Sequence, residues 1–325
     1  MGLLAGLWSA LRAMGERADR FSVRFSVGRF ELALWERPGR WCDDATLARI
    51  VHDLRTVASA HQQDKGIPEY GALRGDRQDL ATRVVTLVYT RQGQPVGFSA
   101  LTWFDLPLGP STERVLHLGL TFIDPEFQRQ GLPAFLYGVA SFLLLFKRGL
   151  RGFWISNVSQ VPAVIGAVSH SYAQCYPHYA GKNRQTFTHL LLARAIMKHH
   201  RSAFGVSADA PFDEARQIIA DAYRGGSDEL KKTFEEAPKH RIEAVNEFCR
   251  KWLDYPRGDD FLQIARCTLA SGLHFLRGKL PPGSVVQMVY RALVLVAFAS
   301  IVPVVKWLVP PPEGEEDALS LTEVS

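Results

Sequence analysis

The chain has 325 residues, 47% of them hydrophobic, enough to fill one large core or two smaller ones, and this excludes a disordered chain. Its formal net charge is +5, yet the last thirteen residues hold five acids and no Lys or Arg, so the rest carries +10. Such an excess suits phosphorylated small molecules or anionic lipid; with no dense Lys/Arg block and no aromatic RNA-binding motif, nucleic acid is disfavoured. Cys42, Cys175, Cys249 and Cys267 form no C-x-x-C and have no zinc-ligand spacing, so they read as buried thiols of a reducing compartment.

Residues 1–42 read as an amphipathic and then irregular, Arg-rich segment. Leu3, Leu4, Leu7, Trp8, Leu11 and Met14 fall near one helical face, and the n-region lacks the positive charge of a secretory signal. That face either packs on the body or rests on a membrane surface. Asp43 or Asp44 can cap a helix running to about residue 60, with Leu47, Ile50, Val51, Leu54 and Val57 at helical spacing. Two β-rich runs, RVVTLVYT and PVGFSALTWF, flank the polar turn RQGQ and predict an antiparallel hairpin. In a third run, residues 114–123, Val115, His117, Gly119, Thr121 and Ile123 alternate with Leu116, Leu118, Leu120 and Phe122. The alternation puts His117 on one strand face with Gly119 and Thr121.

An apolar helix is predicted over 132–147, a strand over 153–159 and a helix over 161–176, followed by helices in THLLLARAIMKHH and PFDEARQIIADAYRGG. Pro238 interrupts a later helical region, and 261–269 has strand character. The fold class is α/β, a mixed central sheet with flanking helices and extra C-terminal helices. The predicted units are an α/β domain over 43–205, a helical extension with one strand over 206–284, an apolar segment at 285–309 and an acidic disordered tail at 310–325. Between Arg291 and Lys306 only fourteen residues are free of charge, and Pro303 interrupts the apolar run. The segment is therefore either a membrane anchor with snorkelling ends, leaving the domain cytoplasmic at the inner face, or a buried helix.

The segment DPEFQRQGLPAFLYG follows the third strand directly. A strand that ends in a Gly-containing turn opening a helix makes an anion site, because free N–H groups and the positive end of the helix dipole converge there. The element order and this string resemble the GCN5-related N-acetyltransferase superfamily, whose signature is Gln/Arg-x-x-Gly-x-Gly/Ala. Gln128, Gly131 and Pro133 fall on its three places, and the resemblance covers about residues 43–180. Pro133 departs from the pattern, since proline has no N–H for a phosphate.

The resemblance implies that acetyl-coenzyme A or a longer acyl-coenzyme A is the co-substrate, with its pyrophosphate in the turn and its pantetheine between strands 114–123 and 153–158. It places Phe122, Ile123, Gln128, Arg129, Gln130, Gly131, Leu132 and Asn157 against that donor. Asn157, Ala163 and Tyr172 lie loosely on a second part of the family pattern, with Tyr172, Tyr176 and Tyr179 as candidate phenols for the departing thiolate. Candidate bases are His117, whose unperturbed pKa near 6.5 suits proton uptake, and Glu126. The oxyanion donor would be a backbone N–H at the end of strand 114–123. Asp76, Asp105 and His170 are candidates to face the acceptor, a small-molecule or lipid-like primary amine. The helical stretch ASFLLLF either packs on the sheet or lines a long acyl chain. The chemistry requires no metal and none is signalled. The alternatives are an acyl-carrier-protein donor, or a catalytically silent binding or membrane-adaptor protein with the same fold.

Overall fold

A computed structural model describes residues 20–61, 71–108, 110–128, 130, 132–148, 152–224 and 231–272. The expected amphipathic segment at 1–19, the apolar segment 285–309, the acidic tail, Arg129 and Gly131 lie outside the described residues.

The segment read as irregular before residue 43 forms two strands, β1 (Phe21–Val27) and β2 (Phe30–Glu36), paired antiparallel. Arg24 and Arg29 hid the pattern: they sit at exposed positions, while Phe21, Leu32 and Leu34 enter the core. Helix α1 (Asp44–His61) follows, with the Asp43 carboxylate accepting the Thr46 N–H at 2.6 Å, and buries Leu47, Ile50, Leu54 and Val57. A short helix α2 (Arg77–Leu80), capped by Asp76, leads into β3 (Arg83–Thr90), β4 (Pro95–Leu108) and β5 (Ser111–Ile123). Helix α3 (Leu132–Lys147) crosses over to β6 (Phe153–Ser159).

Two C-terminal expectations change. The helix predicted over 161–176 is α4 (Pro162–Ser171), then a strand, β7 (Ala173–Tyr176). Beyond α5 (Phe187–His199), the stretch PFDEARQIIADAYRGG makes two short strands, β8 (Phe212–Asp213) and β9 (Ile218–Ile219), in place of a helix. The Asp213 carboxylate takes the N–H groups of Ala215 and Arg216, closing a turn where helix would need those donors. After α6 (Glu243–Trp252), β10 (Asp260–Cys267) returns to the first sheet and pairs antiparallel with β6.

The described strands run β1-β2-β3-β4-β5-β6-β10-β9-β8, with β7 also on β10; the β5–β6 pair is parallel. The sheet thus extends beyond both limits of the 43–205 unit. One face carries α3 and α4 over Leu34, Val84, Leu101, Leu116 and Ile155. The other carries α1 over Ala33, Val85 and Phe98, and α5 over Phe104, Val115 and Ile264. All four cysteines are free and buried. Among the described residues no helix is long and apolar enough to cross a membrane.

Candidate acyl-transfer site

The sheet opens between β5 and β6. Their parallel register ends at Leu118↔Asn157, while β5 stays with β4 as far as Ile123↔Gly97 and β6 stays with β10 as far as Ser159↔Phe261. The fork has a local cause. In the β4–β5 register, Ala100 faces Leu120 and Thr102 faces His117, so Leu118 and Gly119 together oppose Leu101 in a bulge. A Cβ on Gly119 would lie 2.2 Å from the Ala100 carbonyl oxygen, and only glycine fits.

The bulge reverses the strand's phase. Leu116 and Leu118 point to the α3 face, and Leu120 and Phe122 to the α1 face. His117 therefore does not share a face with Thr121, as unbroken alternation had placed it. It lies on the α5 face, stacked on Phe104 at 5.1 Å and tilted against Phe204 at 5.0 Å, with Nδ1 3.1 Å from the Ser156 hydroxyl. Burial, reinforced by Arg83 and His200, pushes its pKa down to about 3, so the imidazole is neutral at pH 7 and a poor proton acceptor. It belongs to a cross-strand row of buried polar side chains, Arg83, Thr102, His117 and Ser156, on adjacent strands. Asp79 grips Arg83 with two bonds, at 2.6 and 3.0 Å, and Arg83 also donates to Thr102.

On the α3 face, Tyr172 lies just past the end of α4. Its hydroxyl is 2.8 Å from Ser141 of α3, and burial raises its pKa well above the ordinary phenol value. Of the three candidate tyrosines it alone sits beside the fork: Tyr176 donates to the Ala215 carbonyl, and Tyr179 stacks on His178 and lies tilted against His170. The sequence reading missed Tyr137, on α3, whose hydroxyl donates to the bulge carbonyl of Gly119 at 3.0 Å and whose pKa burial pushes up to about 12. Its signal is the spacing, five residues and about one and a half helical turns beyond Leu132. Leu118, Tyr137, Ser141, Phe142, Val168 and Tyr172 line a small cavity of about 30 Å³ between α3 and α4. Asn157, at the last rung, is buried, and its amide donates to Gln263 of β10 at 3.2 Å.

The turn beyond β5 is closed at its start by Asp124. Asp124 accepts the Glu126 N–H at 3.0 Å and its own N–H reaches the Val96 carbonyl. Glu126 is exposed there, about 20 Å of strand beyond His117, so the two candidate bases are not brought together. Phe122 stacks on His61 of α1, and the Ile123 carbonyl accepts from the same imidazole, whereas the Ile123 side chain is buried on the α3 face. Leu132, the first residue of α3, is buried. Gln128 and Gln130 are exposed in the turn, and Arg29, from the tip of the β1–β2 hairpin, bonds the Gln130 side chain. That guanidinium adds a cation to the turn from a part of the chain read as irregular.

The acceptor candidates disperse. Asp76 caps α2, Asp105 pairs with Arg114 at 2.6 Å and His170 stacks with His240. None lines the larger cavity, about 380 Å³, which opens on the α1/α5 face beside Arg74, Arg83, Thr102, Phe104, His200 and Ser202.

The strand order, the forked parallel pair and the turn leading into α3 fit the α/β arrangement that the sequence resemblance implies. No family model matches the sequence, and no curated protein matches it. Among solved structures, the chain is similar to an acetyltransferase from Vibrio fischeri, with 15% identity and a TM-score of 0.26 over 35% of this chain and 90% of that one. It is also similar to a ribosomal-protein-S5-alanine acetyltransferase from Vibrio fischeri, with 13% identity and a TM-score of 0.28 over 41% and 73%. A GCN5-related N-acetyltransferase from Sphaerobacter thermophilus matches with 15% identity and a TM-score of 0.26, over 41% of this chain and 39% of that one.

Proposed function

We propose that this chain is an N-acyltransferase that moves an acyl group from an acyl-coenzyme A thioester directly to a primary amine. The observation that carries this is the fork: a sheet opened beyond Leu118 and Asn157 by a glycine-dependent bulge, beside a capped turn leading into a long helix. The pyrophosphate lies at the turn of Gln128 and Gln130 with Arg29 as its cation, and the pantetheine lies in the fork. The amine nitrogen attacks the thioester carbon from the α1/α5 face, where the larger cavity would hold the acceptor. The new C–N bond forms as the carbonyl oxygen gains charge, and a backbone N–H of the bulge stabilises it. Collapse breaks the C–S bond, and the Tyr172 phenol, held protonated by burial, supplies the proton to the thiolate. The surplus amine proton returns through water to the phenol, so the enzyme is regenerated; His117, neutral and enclosed, holds Ser156 and the β5–β6 rung in place.

Pro133 supports a second donor reading. It stands in the first turn of α3 without an N–H to give a phosphate, which suits an acyl group on a carrier protein. The body is proposed to be cytoplasmic, fastened to the inner face of a membrane through residues 285–309. The test is calorimetric titration of the folded full chain with coenzyme A thioesters from acetyl to palmitoyl, followed by thiol release in the presence of a panel of amines. Binding with amine-dependent thiol release is expected. Binding without release would leave a silent adaptor, and absence of binding would turn the donor to a carrier protein.

A further inference from the structure

The larger cavity on the α1/α5 face is built almost entirely of hydrogen-bond donors. Two buried polar side chains on neighbouring strands form its floor, Arg83 of β3 and Thr102 of β4. Of the five N–H donors of the Arg83 guanidinium, two go to Asp79 and one to the Thr102 hydroxyl, so two have no acceptor among the described residues. The Thr102 oxygen accepts from Arg83, which leaves its own O–H to donate elsewhere. At the rim, Arg74 and Ser202 are exposed, and neither side chain has a hydrogen-bond or ion-pair partner among the described residues.

Charge points the same way. The lining holds two guanidiniums and one carboxylate, Asp79, and both oxygens of that carboxylate are already bonded by Arg83. Burial and the neighbouring His199 hold the His200 pKa below its usual value, so its imidazole, stacked on Phe104 at 4.2 Å, adds little charge at pH 7. The lining is therefore net positive and rich in donors, which repels a polycationic amine and favours a ligand with an anionic group. The reach to the fork is short. Thr102 faces His117, and Gly119 of the bulge is two residues further along β5, so one strand spacing across and two residue rises along put Thr102 and the bulge about 8 Å apart. One small molecule spans that interval, and about 380 Å³ is the volume of a small-molecule site.

Resting on the acyl-transfer function proposed above, we propose that the acceptor is a small primary amine that also carries an anionic group, a carboxylate or a phosphate, held by Arg74, Arg83 and Thr102. The anion docks at the donor-lined floor and rim of the cavity, and the amine at the other end of the molecule reaches the thioester at the fork. Asp79 keeps Arg83 in place and leaves its spare donors to the ligand.

The test uses the full chain and amines of matched length that differ at the far end: 6-aminohexanoate, 5-aminopentyl phosphate, hexylamine and 1,6-diaminohexane. Thiol release from acetyl- and from palmitoyl-coenzyme A is followed with each, and calorimetry without thioester reads binding of the same amines directly. Both anionic amines are expected to exceed hexylamine and diaminohexane in kcat/KM by roughly tenfold or more, the worth of one charge-assisted hydrogen bond; the better of the two tells carboxylate from phosphate. In Arg74→Glu the ratio of anionic to neutral amine should fall by a similar factor, whereas Arg49→Glu, the same charge change at an exposed position of α1, should keep it. Thiol release as fast with hexylamine or diaminohexane as with the anionic amines overturns the anionic acceptor and leaves the acyltransferase reading standing. Absence of thiol release with every amine overturns that reading itself. In that event calorimetry still decides the cavity: no binding of either anionic amine, or equal binding to the wild type and Arg74→Glu, overturns the anion site.

Discussion

Gly119 offers the sharpest test of the site, because the fork depends on a backbone shape that a single methyl group destroys. In Gly119→Ala the new Cβ would sit 2.2 Å from the Ala100 carbonyl oxygen, a backbone atom that cannot swing aside. Either β4 and β5 separate or the bulge flattens. A forced overlap of this kind costs about 1–3 kcal/mol, which in a domain of this size lowers Tm by roughly 2–10 °C. Flattening the bulge would continue the Leu116/Leu118 phase into Leu120 and Phe122, removing them from α1, and would return the bulge N–H groups to the ladder. Loss of one oxyanion donor is worth about 10²–10³ in kcat. Thermal unfolding and thiol-release kinetics on the same preparation separate the two effects. A stable Gly119→Ala protein whose kcat stays within threefold of wild type would refute the bulge as the oxyanion donor.

Tyr172→Phe removes a buried hydroxyl 2.8 Å from Ser141, so stability should fall by about 1 kcal/mol, while kcat falls about 10²-fold with KM little changed; unchanged kcat would remove the phenol from proton donation. For His117, burial depresses the folded pKa to about 3, so its contribution to stability is fully present above pH 6.5 and is lost as the pH falls toward 3. Its imidazole NMR signals should therefore not titrate between pH 8 and 5, and an inflection in that range assigned to His117 would restore it as a base. Asp260 shows the opposite sign. Buried at the start of β10, with one oxygen bonded by Tyr223 and the other without a hydrogen-bond partner among the described residues, its carboxyl has a pKa raised to about 7, chiefly by burial. Its contribution to stability is present below pH 4 and is lost as the pH rises through 7, so Asp260→Asn should raise Tm more at pH 8.5 than at pH 5.5; an equal shift at both would contradict that.

Much of the frame is legible in local pattern. The capped helix after Asp43, the RQGQ hairpin, the helix over 132–147 and the strand over 153–159 each follow from periodicity and turn chemistry within a few residues. The turn after Ile123 is likewise written in its own residues, with Asp124 and Pro125 closing it. These are short-range effects, and the chain by itself determines them.

Tertiary structure decided the rest. Whether β10 rejoins the sheet depends on β6, a hundred residues earlier, and Asp213 turns its neighbours into β8 and β9 because Ile218 and Ile219 have β10 to pair with. The register slip at Gly119 comes from contact with Ala100, and it alone separates the face of His117 from that of Thr121. The basicity of His117 is set by Phe104, Phe204, Arg83 and His200, none of them near it in sequence. Arg29 reaches the turn because β1 and β2 join the sheet edge. Local sequence fixes where strands and helices begin and end, because backbone sterics and side-chain spacing act over a few residues. Site chemistry depends on burial and on cross-strand neighbours, and those exist only once distant segments have packed.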